Sequence, residues 1–120
     1  VSGDIEYTGS INDVSDIRLK KDIKDLQNAL DKLNQVRPVS FVMKADPDAR
    51  VEYGVIAQEL REVFPKLVHQ ADDEMSTLSV NYVGMIAWLI QGIKELQSEN
   101  KKAQKQLQEL EKELRAQNQN

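Results

Sequence analysis

Apolar residues return at alternating spacings of three and four along the last third of the chain. With Ile86 at a, the a positions are Ile86, Ile93, Asn100, Leu107 and Leu114, and the d positions are Tyr82, Leu89, Leu96, Ala103, Leu110 and Gln117. From residue 97 onward the other positions are mostly Gln, Lys and Glu. A helix whose apolar stripe is this narrow buries nothing by itself, so other helices must lie beside it. Oligomerisation is close to obligatory. At a rise of ~1.5 Å per residue, 86–114 makes a rod of roughly 45 Å. Ile at a with Leu at d favours two strands, and Asn100 at an a position sets register at some cost in stability. The stretch VGMIAWLIQGI (83–93) is apolar on more than two faces. It calls for a globular portion or more than one partner around it, which tilts the reading toward a higher-order bundle at the base of the rod.

The preceding residues read as a small mixed body. Ile23, Leu26, Leu30 and Leu33 fall at helical spacing until Pro38 forbids continuation, which predicts a helix near 22–36. PVSFVMK (38–44) and VEYGV (51–55) are strand-like and flank the turn residues DPDA (46–49), which predicts a hairpin with a four- to six-residue loop. IAQELREVF (56–64) returns to helical spacing and Pro65 stops it. HQADDEMS (69–76) is a polar excursion, LSVNY (78–82) is a short strand or a helix lead-in, and the chain is helical from Val83. Residues 1–14, with scattered Gly, Ser and Asn, suit short strands and turns and look like the end of another fold. A start at Val rather than Met fits a piece of a longer protein. The fold class expected is α+β: a small globular part with a hairpin and short helices, followed by a long C-terminal helix in a parallel coiled coil.

Composition removes several functions. A chain of 120 residues has room for one domain, and a hydrophobic share of 40% is on the low side for a compact core. The net charge of −4 provides no basic field for nucleic acid, and no apolar run approaches the ~18 residues of a membrane span. There is no cysteine, and His69 is the single histidine. The run Asp72-Asp73-Glu74 lacks the alternating ligand spacing of a calcium loop. No metal or cofactor is expected. Aromatics at 5% also argue against an adhesin tip that grips a receptor.

Three stretches together carry a resemblance. They are SDIRLKKDI (15–23), YGVIAQEL (53–60) with Phe64-Pro65 and Leu67-Val68, and Val80-Asn81-Tyr82 leading into the helix Ile86–Leu96. In order and spacing they resemble the self-cleaving intramolecular chaperone domains at the C-termini of phage endosialidases, neck appendages and L-shaped tail fibres, with a relative inside the myelin regulatory factor of animals. Trp88 departs from the pattern, where a smaller aliphatic residue is expected. The resemblance implies a homotrimer that aligns three fibre or spike chains in the host cytoplasm during assembly, the parent protein ending in the virion tail. It implies cleavage between Val14 and Ser15, with Ser15 as nucleophile and Lys20 as its base. Residues 1–14 then belong to the upstream fold, which is both client and substrate, 15–82 form the globular chaperone part and 83–120 the trimerisation helix. A non-cleaving trimerisation module of a fibrous protein is the alternative.

A serine hydroxyl needs a base, and a lysine serves as one only when neutral. Free lysine, with a pKa of ~10.4, is neutral about once in a few thousand at pH 7, so such a base must be desolvated or crowded by cations. Arg18 and Lys21 are the candidate crowders. Residues five apart share neither a helix face nor a strand face. A turn must therefore lie between Ser15 and Lys20, or the pair must form between chains. If assembly completes the site, cutting is coupled to correct folding. On local grounds alone, Ser15 before Asp16 reads as a cap or turn residue.

Overall fold

The computed structural model describes residues 12–119. Of the segment 1–14, only 12–14 falls within them, without regular structure. A 3-10 turn (Ile17–Leu19) leads to a short helix α1 (Ala29–Leu33), then an antiparallel hairpin of β1 (Val39–Val42) and β2 (Val51–Gly54). Helix α2 (Ala57–Val63) runs into a 3-10 turn at Pro65–Leu67. A second antiparallel hairpin joins β3 (Val68–Gln70) to β4 (Leu78–Val80), and α3 spans Tyr82–Asn118. The chain is elongated, 76 × 43 × 32 Å, because α3 runs far beyond the body. Among the described residues, no helix is long and apolar enough to cross a membrane.

The core sits where α2, the Pro65–Leu67 turn and the first turns of α3 meet. Leu60, Phe64, Leu67 and Met85 are buried there, with Leu33, Val36, Val63, Val68 and Val80 around them. Trp88 packs its ring on Phe64, centroids 5.0 Å apart, and the Lys32 ammonium lies over the indole at 4.8 Å. The indole thus fills a site between an aromatic ring and a cation, which accounts for its size.

The helix expected over 22–36 is only Ala29–Leu33. Asp22 and Asn28 both have positive φ (54° and 58°), a region that Asp and Asn enter more readily than most residues. Asn28 caps nothing with its side chain. Instead the Glu95 carboxylate of α3 accepts from the backbone N–H of Ala29 and of Leu30, each at 3.0 Å. In a helix running from 22 those two amides would have intrahelical partners; at the start of a helix they do not. A contact 65 residues away in sequence therefore decides where α1 starts. Leu33 at the other end of α1 lies against buried Gly92, where an added Cβ would strike its Cδ1.

The amides of Leu30 and Ala29, with Gln91 beside them, hold the Glu95 carboxyl below the ordinary carboxylate range. A carboxyl depressed in the folded state contributes stability above its unfolded pKa, and that contribution is lost as pH falls through the folded value. Glu95→Gln is therefore expected to lower the melting temperature by about 5 °C at neutral pH. The gap to the unsubstituted chain should close as pH falls below about 4, a trend that melting curves across pH would reveal.

The first hairpin loop is longer than expected. Pairing ends at Val42↔Val51, so residues 43–50 form the connection. Asp46 organises it by accepting from the amides of Asp48 and Arg50 and from Arg50 Nε, at 3.0–3.1 Å. The second hairpin includes β3, two of whose residues, His69 and Gln70, open the stretch 69–76 expected as a polar excursion. Its three residues, Val-His-Gln, are too few to show alternation, and His69 stands exposed on a strand rather than in a loop. Asp73 serves the loop of this hairpin by accepting from the Thr77 amide at 2.8 Å.

Candidate active site and assembly surface

The 3-10 turn Ile17–Leu19 forms because Asp16 caps it. The Asp16 carboxylate accepts from the Arg18 amide at 2.9 Å, and Leu19 and Lys20 donate their N–H back to the carbonyls of Asp16 and Ile17. The Arg18 guanidinium closes on the same carboxylate through Nε and Nη2, the shortest contact being 2.7 Å. That pairing, with the amide bond added, holds the Asp16 carboxyl below its usual range. Capping thus falls to Asp16 and leaves the Ser15 hydroxyl available.

One turn of 3-10 helix brings the ends of the segment together. Lys20 Nζ donates to Ser15 Oγ at 2.6 Å, within a single chain. In the single chain, a turn makes this contact. Arg18, a candidate crowder for the lysine, has its charge engaged by Asp16. Ser15 and Lys20 are exposed, and so are their apolar neighbours Val14, Ile17 and Leu19, the last at 77%.

The seam residues lie along α3 and touch no core. Ile86, Leu89, Ile93, Leu96, Asn100, Leu107, Leu110 and Leu114 are all exposed, Ile93 at 59%. The body covers the opposite side of the helix, through buried Met85 and Gly92 and half-buried Gly84, Trp88, Gln91 and Glu95. The unusually apolar stretch 83–93 therefore serves two surfaces, one packed on the body and one bare.

Tyr82 joins the seam to the body. Its hydroxyl accepts from the Val55 amide at 3.2 Å, and a Cβ at Gly54 would lie 2.5 Å from that hydroxyl. The close approach at Gly54 is thus to a side chain. Glu59 is engaged with Arg37 through a two-bond pair at 3.0 and 2.6 Å, which holds its carboxyl below the ordinary carboxylate range. Sequence reading missed the roles of Asp16 and Glu95. Asp16 had a local signal, an Asp two residues before an Arg, whereas Glu95 had none.

Fold and site together define a small α+β body on a long, seam-bearing helix, with a serine–lysine pair at its leading end. Residues 15–69 match the family model described as chaperone of endosialidase, a family designated Peptidase S74. The chain is 33% identical over 99 residues to the long tail fiber protein Gp37 of Enterobacteria phage K3, covering 78% of this chain and 8% of that protein. It is 32% identical over 111 residues to Gp37 of Salmonella phage S16, covering 87% of this chain and 15% of the relative. It therefore spans less than a sixth of the length of these curated relatives. The chain carries the chaperone domain of phage fibre proteins.

Proposed function

We propose that the chain is an intramolecular chaperone that assembles as a homotrimer through the α3 seam, helps an upstream fibre or spike domain of the same polypeptide to fold, and then cuts itself off between Val14 and Ser15. In this division residues 1–14 end the client, 15–82 form the body and 83–120 the trimerising helix. The parent protein belongs to the virion tail, assembled in the host cytoplasm. The observation that carries the reading is the 2.6 Å contact between Lys20 Nζ and Ser15 Oγ, made across a turn that Asp16 and Arg18 hold shut.

Ser15 stands on the amine side of the bond to be cut, which defines the chemistry. Neutral Lys20 takes the hydroxyl proton as Oγ bonds to the Val14 carbonyl carbon through a five-membered ring. Collapse breaks the Val14–Ser15 C–N bond, the departing amine takes the proton back from Lys20, and Val14 is left as an ester on Ser15 Oγ. Water then hydrolyses the ester, with Lys20 again as base. Products are a Val14 carboxylate and a chaperone that begins at Ser15. When charged, the ammonium donates to Oγ as observed; when neutral, the nitrogen accepts from the hydroxyl at the same separation. Covering the exposed pair on assembly supplies the desolvation that a lysine base needs.

The same exposure favours a second reading, a trimerisation module that stays attached because the pair remains solvated. Intact mass of the assembled protein separates the two. Autocleavage yields a species whose N-terminus is Ser15 and a complementary 1–14 fragment. A single species of 13.7 kDa that persists in the assembled state points to the uncut module.

A further inference from the structure

We infer that each body holds the neighbouring chain's helix as well as its own: Ile90 of one protomer seats in an apolar groove between the first hairpin and α3 of the next. The groove, about 640 Å³, is walled by Leu33, Val36, Val39, Tyr53, Met85 and Leu89. Tyr53 at its rim is 81% exposed, left uncovered by the described residues of its own chain.

The occupant follows from heptad phase. Met85 and Gly92 are g positions of the seam, and they are the ones buried under the body. Val83 and Ile90 are e positions, apolar and exposed at 60% and 56%. Downstream, every e position is polar: Gln97, Gln104, Glu111 and Asn118. Apolar e residues thus occur only at the level of the body. A single Asn at an a position pairs with its own copies in a parallel, in-register coil. In that arrangement the g position of one helix faces the e position of the next heptad on its neighbour, so Met85 faces Ile90 of the second copy. Met85 and Leu89 line the groove and Leu89 is a seam residue, so groove and seam form one continuous surface. The groove lies on the g side of its own helix and Ile90 on the e side, so no chain can fill its own groove with Ile90. A ring of such contacts makes each body depend on the chain beside it.

This inference rests on the parallel coil proposed above, and the test distinguishes the two. The chain contains no cysteine, so introduced thiols are the only ones. A tagged Ile90→Cys chain is assembled with an untagged Tyr53→Cys chain and treated with a short bis-maleimide. An Ile93→Cys assembly, whose thiols meet across the seam, is the control. The mixed Ile90–Tyr53 product is expected at a yield within a few-fold of the seam product. Seam cross-links without the mixed product overturn the inference and leave the coil standing. A product between Tyr53→Cys and Leu19→Cys in its place overturns it too, by putting the N-terminal arm in the groove. Absence of any cross-link from a monomeric protein removes both the coil and the contact.

Discussion

With Ser15 replaced by alanine, the chain is expected to remain whole while the unsubstituted chain separates into 1–14 and a chaperone that begins at Ser15. The loss should be on the order of 10⁴–10⁶-fold, since a nucleophile and its base act as a unit and removing either takes most of the effect. Lys20→Met should match it. Lys20→Arg tests the chemistry more sharply, because a guanidinium can still donate to Oγ at hydrogen-bonding distance but cannot give up its proton to become a base. An uncut Lys20→Arg chain assigns the lysine as base, whereas cutting at an undiminished rate would show that it only positions the serine. All three changes fall at exposed residues outside the core, so melting temperatures should stay within about 3 °C of the unsubstituted protein. Mass spectrometry read beside a melting curve therefore separates a lost reaction from a lost fold.

The double change Ile93→Asp with Leu96→Asp is expected to turn the assembly into monomers, seen by sedimentation or light scattering. In one chain both side chains face away from the body. The body's own packing on Leu60, Phe64, Leu67 and Met85 is left intact. In the coil each carboxylate is buried without a partner and beside its own copies, at a cost of several kcal/mol per site. If assembly desolvates the Ser15–Lys20 pair, the monomer should also cut at least about 100-fold more slowly. Cutting by the monomer at the original rate would leave the dyad in place and break the coupling between assembly and release.

Those two predictions draw on different layers of information. The seam was legible from residue order because a helix has one period, and a stripe at that period stays a stripe wherever the rest of the chain goes. The first hairpin and α2 were legible for a related reason: Asp46-Pro47-Asp48, Pro38 and Pro65 punctuate short segments whose backbone preferences are local. Spacing also restricted the Ser15–Lys20 pair to a turn or an inter-chain contact. Its chemical role came from resemblance to known chaperone domains.

Tertiary structure decided the rest. Ile23, Leu26, Leu30 and Leu33 carry a helical pattern, yet the helix begins at Ala29, because two of its amides bond to a carboxylate on α3 and two upstream residues take positive φ. Strand β3 exists because β4 pairs with it and places Val68 and Val80 against the core, a gain that three residues cannot advertise alone. The turn at Ser15 closes because Asp16 caps it and holds Arg18. The apolar stretch 83–93 was legible as surrounded, but only packing divides it into a face that belongs to the body and a face left for another chain. Periodicity depends on the backbone of one segment and survives in the sequence. Caps, short strands and the allocation of a helix's faces depend on which distant groups arrive beside them, and residue order does not record that.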